Sequence, residues 1–157
     1  MSKGPARRGD ERGATLVEFA FILPIFVLFV FGAIDLGWAF SQNLDVKQGA
    51  REGGRIVAVN GGTGIGTNQC QSLQAQIRSQ TQELNPALLT VLLGFTDSNG
   101  NGVKDIGDMA QVTVRYPLSS LSGLSSTFLN GTMQSRVSVR LEQPGTWSTT
   151  DASGTCQ

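Results

Sequence analysis

Residues Phe19 to Ile34 read FAFILPIFVLFVFGAI, sixteen positions without a charge. Extending the stretch back over Ala14 to Val17 gives twenty-one positions interrupted only by Glu18. A helix of that length reaches about 30 Å, the hydrocarbon thickness of a bilayer. The preceding MSKGPARRGDERG carries Lys3, Arg7, Arg8 and Arg12. Basic flanks favour the cytoplasmic side of a membrane, so the rest of the chain is expected to face outward. A cleaved secretory signal has a shorter apolar core followed by a small-residue site. Here the run is longer, and GAIDLGWAF continues it into further helical sequence. The expectation is a retained transmembrane helix.

Composition narrows the remainder. The chain has 157 residues, 12 basic and 12 acidic, for a net charge of zero. Without excess positive charge, a phosphate-tracking nucleic-acid binder is excluded as a reading. The absence of histidine removes Ser-His-Asp and Cys-His catalysis and histidine-ligated zinc. Two cysteines cannot complete a four-cysteine metal site. The length allows one modest domain outside the membrane.

Glu18 is out of place in an apolar helix, where a carboxylate costs a few kcal/mol unless it has a partner or reaches the interface. Its surroundings are distinctive. GATLVEF places Gly13 before the apolar run, Glu18 five residues later and Phe19 after it. This arrangement resembles a type IV prepilin processing site, at which a membrane aspartyl peptidase cuts after the glycine. The cut would fall between Gly13 and Ala14, making Glu18 the fifth mature residue. Pro24 early in the helix, Ile34-Asp35 near its end and Ala50-Arg51-Glu52-Gly53-Gly54-Arg55 beyond it extend the likeness. Over about residues 12 to 60 the chain resembles TadE-like proteins, minor pilins of the tight-adherence pilus system. Gly54 stands where the family motif has alanine, and Trp38 near where a basic residue is common. The resemblance implies a prepilin peptidase, other pilins or pseudopilins and the pilus assembly platform as partners, beside the lipid bilayer itself. It also implies an ion pair between the Glu18 carboxylate and the new Ala14 amine of a neighbouring subunit. An ammonium and a carboxylate each costly in apolar surroundings become tolerable when paired. Losing residues 1–13 would remove four basic and two acidic side chains, taking the net charge from zero to about −2.

From Asp35 to Val59 the sequence still reads as helix, with Leu36, Phe40 and Leu44 forming an apolar stripe at i, i+4 spacing. Trp38 and Phe40 suit the aromatic belt of the outer interface. Gly49 and Gly53 admit two readings, close packing against partner subunits or local flexibility. Asn60-Gly61-Gly62 ends the helix, and the stretch to Asn68 reads as a loop. Gln71 to Leu84 is expected to form a second helix with Leu73, Ile77 and Leu84 on one side. Leu89–Phe95, Met109–Tyr116 and Met133–Leu141 read as strands. Val112, Val114 and Tyr116 alternate with polar residues, as do Val137, Val139 and Leu141. The fold class is therefore α+β: a long N-terminal transmembrane helix continuing outside, a short helix and a small antiparallel sheet, a pilin-like layout. The organisation is a basic cytoplasmic leader (1–13), the helix and its extension (14–60) and an extracytoplasmic α+β domain (61–157).

Two further features stand in the outer part. Cys70 and Cys156 both fall on the oxidising side, where an even pair most simply forms one disulfide. It would close about 86 residues and contribute up to about 4 kcal/mol through the chain-entropy term. Between two strands, DSNGNGVKDIGD (97–108) places Asp97, Asn99, Asn101, Gly102 and Asp105 at positions 1, 3, 5, 6 and 9 of a calcium-loop pattern. Val103 takes the backbone-carbonyl position, and Asp108 stands where a full loop has a bidentate Glu. A turn rich in Asp, Asn and Gly for conformational reasons is the plain alternative. No cofactor is required, and calcium is the ligand such a loop would take. The leading expectation is a structural, non-enzymatic pseudopilin in the cytoplasmic (inner) membrane, its N-terminus cytoplasmic. The alternative is a tethered calcium-dependent adhesion or binding module.

Overall fold

A computed structural model describes residues 10–60, 69–81, 84–123, 126–127 and 129–145. The apolar run belongs to one helix, α1 (Asp10–Asn60), which is 51 residues long and passes through Pro24 unbroken. Proline removes one backbone hydrogen bond, a defect that helices in membranes tolerate. Every residue from Gly13 to Phe31 is exposed, so none of the other described residues covers this half of α1. It is long and apolar enough to cross a membrane.

The C-terminal half of α1 is the support on which the rest folds. A second helix, α2 (Gln69–Gln80), and three strands, β1 (Thr90–Thr96), β2 (Met109–Pro117) and β3 (Thr132–Arg140), complete the order. The strands pair antiparallel in the order β1-β2-β3. Register places Val91 beside Val114, Leu93 beside Val112 and Val137 beside Val112 on the other side. Their shared face meets α1 and α2, whereas Gln134, Arg136, Ser138 and Arg140 on the opposite face of β3 are exposed. The expected period-2 alternation is thus a two-layer α/β packing with one polar sheet face. Val46, Ala50, Ile56, Val57 and Ile77 meet Leu89, Val91, Leu93, Val112, Val114 and Leu141 in one core. Each fully buried Val, Leu or Ile contributes roughly 1.5–3 kcal/mol.

One expectation changes, the end of the second helix. The Leu36–Phe40–Leu44 stripe is exposed, at 52%, 71% and 65%. The face of α1 that does meet the sheet is made of Val46, Gly49, Ala50, Gly53, Gly54 and Val57, mostly small residues that a hydrophobic-stripe reading passes over. The second helix stops at Gln80, four residues before Leu84. There the Thr81 hydroxyl donates to the Arg78 carbonyl at 2.9 Å, closing the final turn. Leu84 is nevertheless buried, reaching the core from the connection rather than the helix. The side chain of Leu73, the loop over residues 61–68 and the leader over 1–9 lie outside the described residues.

Candidate functional site

At the N-terminal end, Gly13, Ala14, Glu18 and Phe19 sit on consecutive turns of α1, all exposed. Glu18 is on the surface of the helix at the start of its apolar segment, where a second subunit or lipid headgroups could reach it.

Forty residues on, the charged motif after Ala50 sorts into two faces. Ala50 is fully buried. A Cβ added to Gly53 would come within 2.7 Å of Ile77 Cδ1 and 3.0 Å of Val112 Cγ1. One added to Gly54 would meet Val139 Cγ1 at 3.0 Å and Val137 Cγ1 at 3.1 Å, and one on Gly49 would meet Thr81 Cγ2 at 2.7 Å. Gly49 and Gly53 are therefore contact points within the chain, neither a free surface for partner subunits nor flexible joints. The remaining residues of the motif face out. Arg55 donates to both oxygens of Glu52, its Nη2 reaching Oε1 at 2.6 Å. That hydrogen bond holds the Glu52 carboxyl below the usual carboxylate range and raises Arg55 further. The pair is solvent-exposed and contributes little to stability.

At the outer end of the apolar run, Asp35 takes the role that sequence reasoning missed. It is fully buried. Its Oδ1 accepts from the backbone amides of Leu121 (3.0 Å) and Ser122 (2.8 Å). Its Oδ2 accepts from the hydroxyls of Ser120 (2.8 Å) and Ser122 (2.6 Å). Two turns on, Gln42 donates to Ser119 Oγ at 3.2 Å. Together these bonds lash the connection after β2 to the helix. The Ser-rich composition of that connection was the only signal in the sequence, and nothing local pairs it with Asp35. A shallow apolar groove runs between Leu36, Phe40 and Leu44 on α1 and Leu118 and Met133 at this end of the sheet.

The 97–108 loop lies at the other end, beside the last turns of α1, where the Gly145 amide donates to the Lys104 carbonyl and the Glu142 amide to the Ala58 carbonyl. Asp97 accepts from the amides of Asn99, Gly100 and Gly102 at 3.0, 2.7 and 2.6 Å. Asp105 accepts from the side-chain amides of Asn99 and Asn101. The amide of Val103 is bonded to Asn101 Oδ1. Asp108 is buried and accepts from the amides of Ser98 (2.8 Å) and Asp105 (3.0 Å). These bonds, led by that from Ser98, hold the Asp108 carboxyl below the usual carboxylate range. Gly102 has φ +75°, the left-handed conformation the tight turn requires. The loop's own amides thus occupy many of the oxygen atoms expected as ligands. Among the described residues no three His, Cys, Asp or Glu side chains converge as a metal group. Cys156 lies outside the described residues, and with it the bridge to Cys70.

With this geometry established, comparison with known proteins is specific to one segment. A family model described as TadE-like protein matches residues 13–55. Over this segment the chain resembles TadE-like proteins. The match begins at Gly13 and ends at Arg55, so it covers the exposed apolar part of α1, Asp35 and the two-faced Ala50–Arg55 turn. The α2 and sheet region lies beyond it. No curated protein and no solved structure matches the chain.

Proposed function

We propose that this protein is a membrane-anchored pseudopilin that takes part in assembling a tight-adherence (Flp-type) pilus, acting structurally and without catalysis. The observation that carries the reading is the coincidence of the TadE-like match, residues 13–55, with a helix whose first half is left uncovered by the described residues. An exposed apolar helix of this length needs lipid or other apolar helices around it. In the membrane, α1 sits with its basic leader in the cytoplasm and its sheet outside, in the orientation that flanking Lys and Arg favour. A prepilin peptidase cuts after Gly13. The new ammonium on Ala14, with a pKa of about 8, is charged at neutral pH and pairs with Glu18 of a neighbouring pilin or pseudopilin. That pair sets one register as the helices pack laterally, and the outer domain docks with other pilus components.

Two measurements test it. Mass spectrometry of the membrane-extracted protein, from cells carrying the peptidase, should place the N-terminus at Ala14; an intact leader would refute processing. In a strain whose own copy is deleted, Glu18→Ala should restore the protein to the membrane and fail to restore pili. Full piliation by Glu18→Ala would remove the charge pair from the mechanism.

A further inference from the structure

Asp35 is the first charge after the apolar run, and an unpaired carboxylate there would limit how far the helix could enter a bilayer. The folded protein removes the reason for that limit. A carboxylate is expelled from apolar surroundings because it loses hydration, and hydrogen bonds from fixed donors offset that loss. Asp35 is fully buried and accepts from two backbone amides and two hydroxyls. It has no need of bulk water. Helical side chains also lean toward the N-terminus, so the segment that Asp35 holds lies toward the turn before it, which is still apolar helix.

That segment presents an apolar side chain of its own. Leu121, whose amide is bonded to Asp35, is 58% exposed. Leu36 and Phe40 are exposed in the next turns of α1, and Trp38 between them is half-buried. Leu36 and Phe40 continue the bare apolar surface of the helix at i, i+3 and i, i+4 spacing, and the amide bond to Asp35 brings Leu121 to the same level of the helix. Ala14 to Phe40 is 27 residues, about 40 Å of helix, which matches a bilayer including its headgroup layers. A helix ending at Ile34 spans only the hydrocarbon and leaves these side chains in water.

We infer that the patch formed by Leu36, Phe40 and Leu121 is seated on the outer leaflet of the bilayer, with the 118–123 segment in the headgroup layer and Asp35 pinning it there. This rests on the membrane-anchored reading above and adds a second point of membrane contact, contributed by the sheet domain. The domain is thereby held down against the membrane in one orientation.

The test uses the full chain in phosphatidylcholine vesicles, with Trp38→Phe and Trp147→Phe as background and one tryptophan introduced at a time. Acyl-chain-brominated phosphatidylcholine then quenches whichever tryptophan touches the bilayer. Leu28→Trp reports on the spanning helix, Leu121→Trp on the pinned segment and Ile106→Trp on the opposite end of the domain. The expected result is blue-shifted emission and quenching by brominated lipid for Leu28→Trp and Leu121→Trp. Ile106→Trp should respond only to an aqueous quencher. Adding Asp35→Ala to Leu121→Trp should abolish the lipid quenching; unchanged quenching would overturn the pinning role. Quenching of Leu28→Trp together with purely aqueous behaviour of Leu121→Trp would overturn the inference while sparing the membrane anchor. A blue shift at Leu121→Trp that ignores brominated lipid and vanishes on dilution into excess lipid would assign the patch to a second copy of the chain, and overturn it as well. An unquenched Leu28→Trp would overturn the anchor and this inference together.

Discussion

The two connections of the sheet, 97–108 and 118–131, sit at opposite ends of the outer domain and solve the same problem by different means. Each must satisfy backbone amides that no strand pairs, and each uses carboxylates to do so. In the first, the acceptors are local: Asp97 caps amides two, three and five residues ahead. In the second, the acceptor comes from a helix 85 to 87 positions away. Local capping makes a turn that forms from its own sequence. Remote capping makes a turn whose shape depends on the helix being in place, and so couples the sheet to the exposed apolar half of α1.

The sharpest way to break this contrast is Asp35→Ala. It strands partly buried donors, at each of which an unmet hydrogen bond costs up to about 1–3 kcal/mol. A loss of about 2–4 kcal/mol in urea unfolding of the detergent-solubilised protein is expected, with the 118–123 amides losing exchange protection first. If Asp108→Ala destabilises as much, the distinction between remote and local capping fails. Next in size is Gly53→Ala, which drives a methyl group against Ile77 and Val112 and should cost about 1–3 kcal/mol by overpacking. Because it lifts the helix from the middle of the sheet, both connections should loosen equally.

A smaller effect comes with acid. The Asp108 carboxyl is held below its ordinary range, so its contribution to stability is full above about pH 4 and is lost as pH falls through the depressed folded value. The Ser98 and Asp105 amide signals should shift together over that lower range while those of residues 109–117 stay fixed. Chelator is expected to leave the thermal midpoint unchanged, because the loop carboxylates already have internal donors. A fall that calcium restores and magnesium does not would make the 97–108 loop a cation site, its heat of binding abolished by Asp97→Ala. Glu52→Gln should be the mildest change, within about 0.5 kcal/mol of the parent protein, since it alters an exposed pair.

The same contrast explains what could be read in advance. Strand edges expected at Leu89–Phe95, Met109–Tyr116 and Met133–Leu141 fall within one residue of those observed, because alternation of Val with polar residues is a local signal. Gly102 and its Asp and Asn neighbours announced their turn for the same reason. The Glu18 and Gly13 positions were legible through the motif around them. The role of Asp35 was not, since Ser120 and Ser122 lie in a segment without periodicity and far along the chain. Nor was the buried face of α1: its glycines and Ala50 weaken a hydrophobicity pattern at the very positions where the helix comes closest to the sheet. The stripe that pattern does pick out, Leu36, Phe40 and Leu44, is exposed.

One unbroken rod joins the exposed apolar segment to the far edge of the sheet, and this has a mechanical consequence. Between Asp35 and Ala58 the rod is about 35 Å long and is splinted by the strands packed along it. Pivoting it by roughly 10° at its base sweeps the hairpin tip beside Ala58 through about 6 Å. A change in lean imposed by neighbours below would thus be magnified into a displacement above, making the helix a lever as well as an anchor.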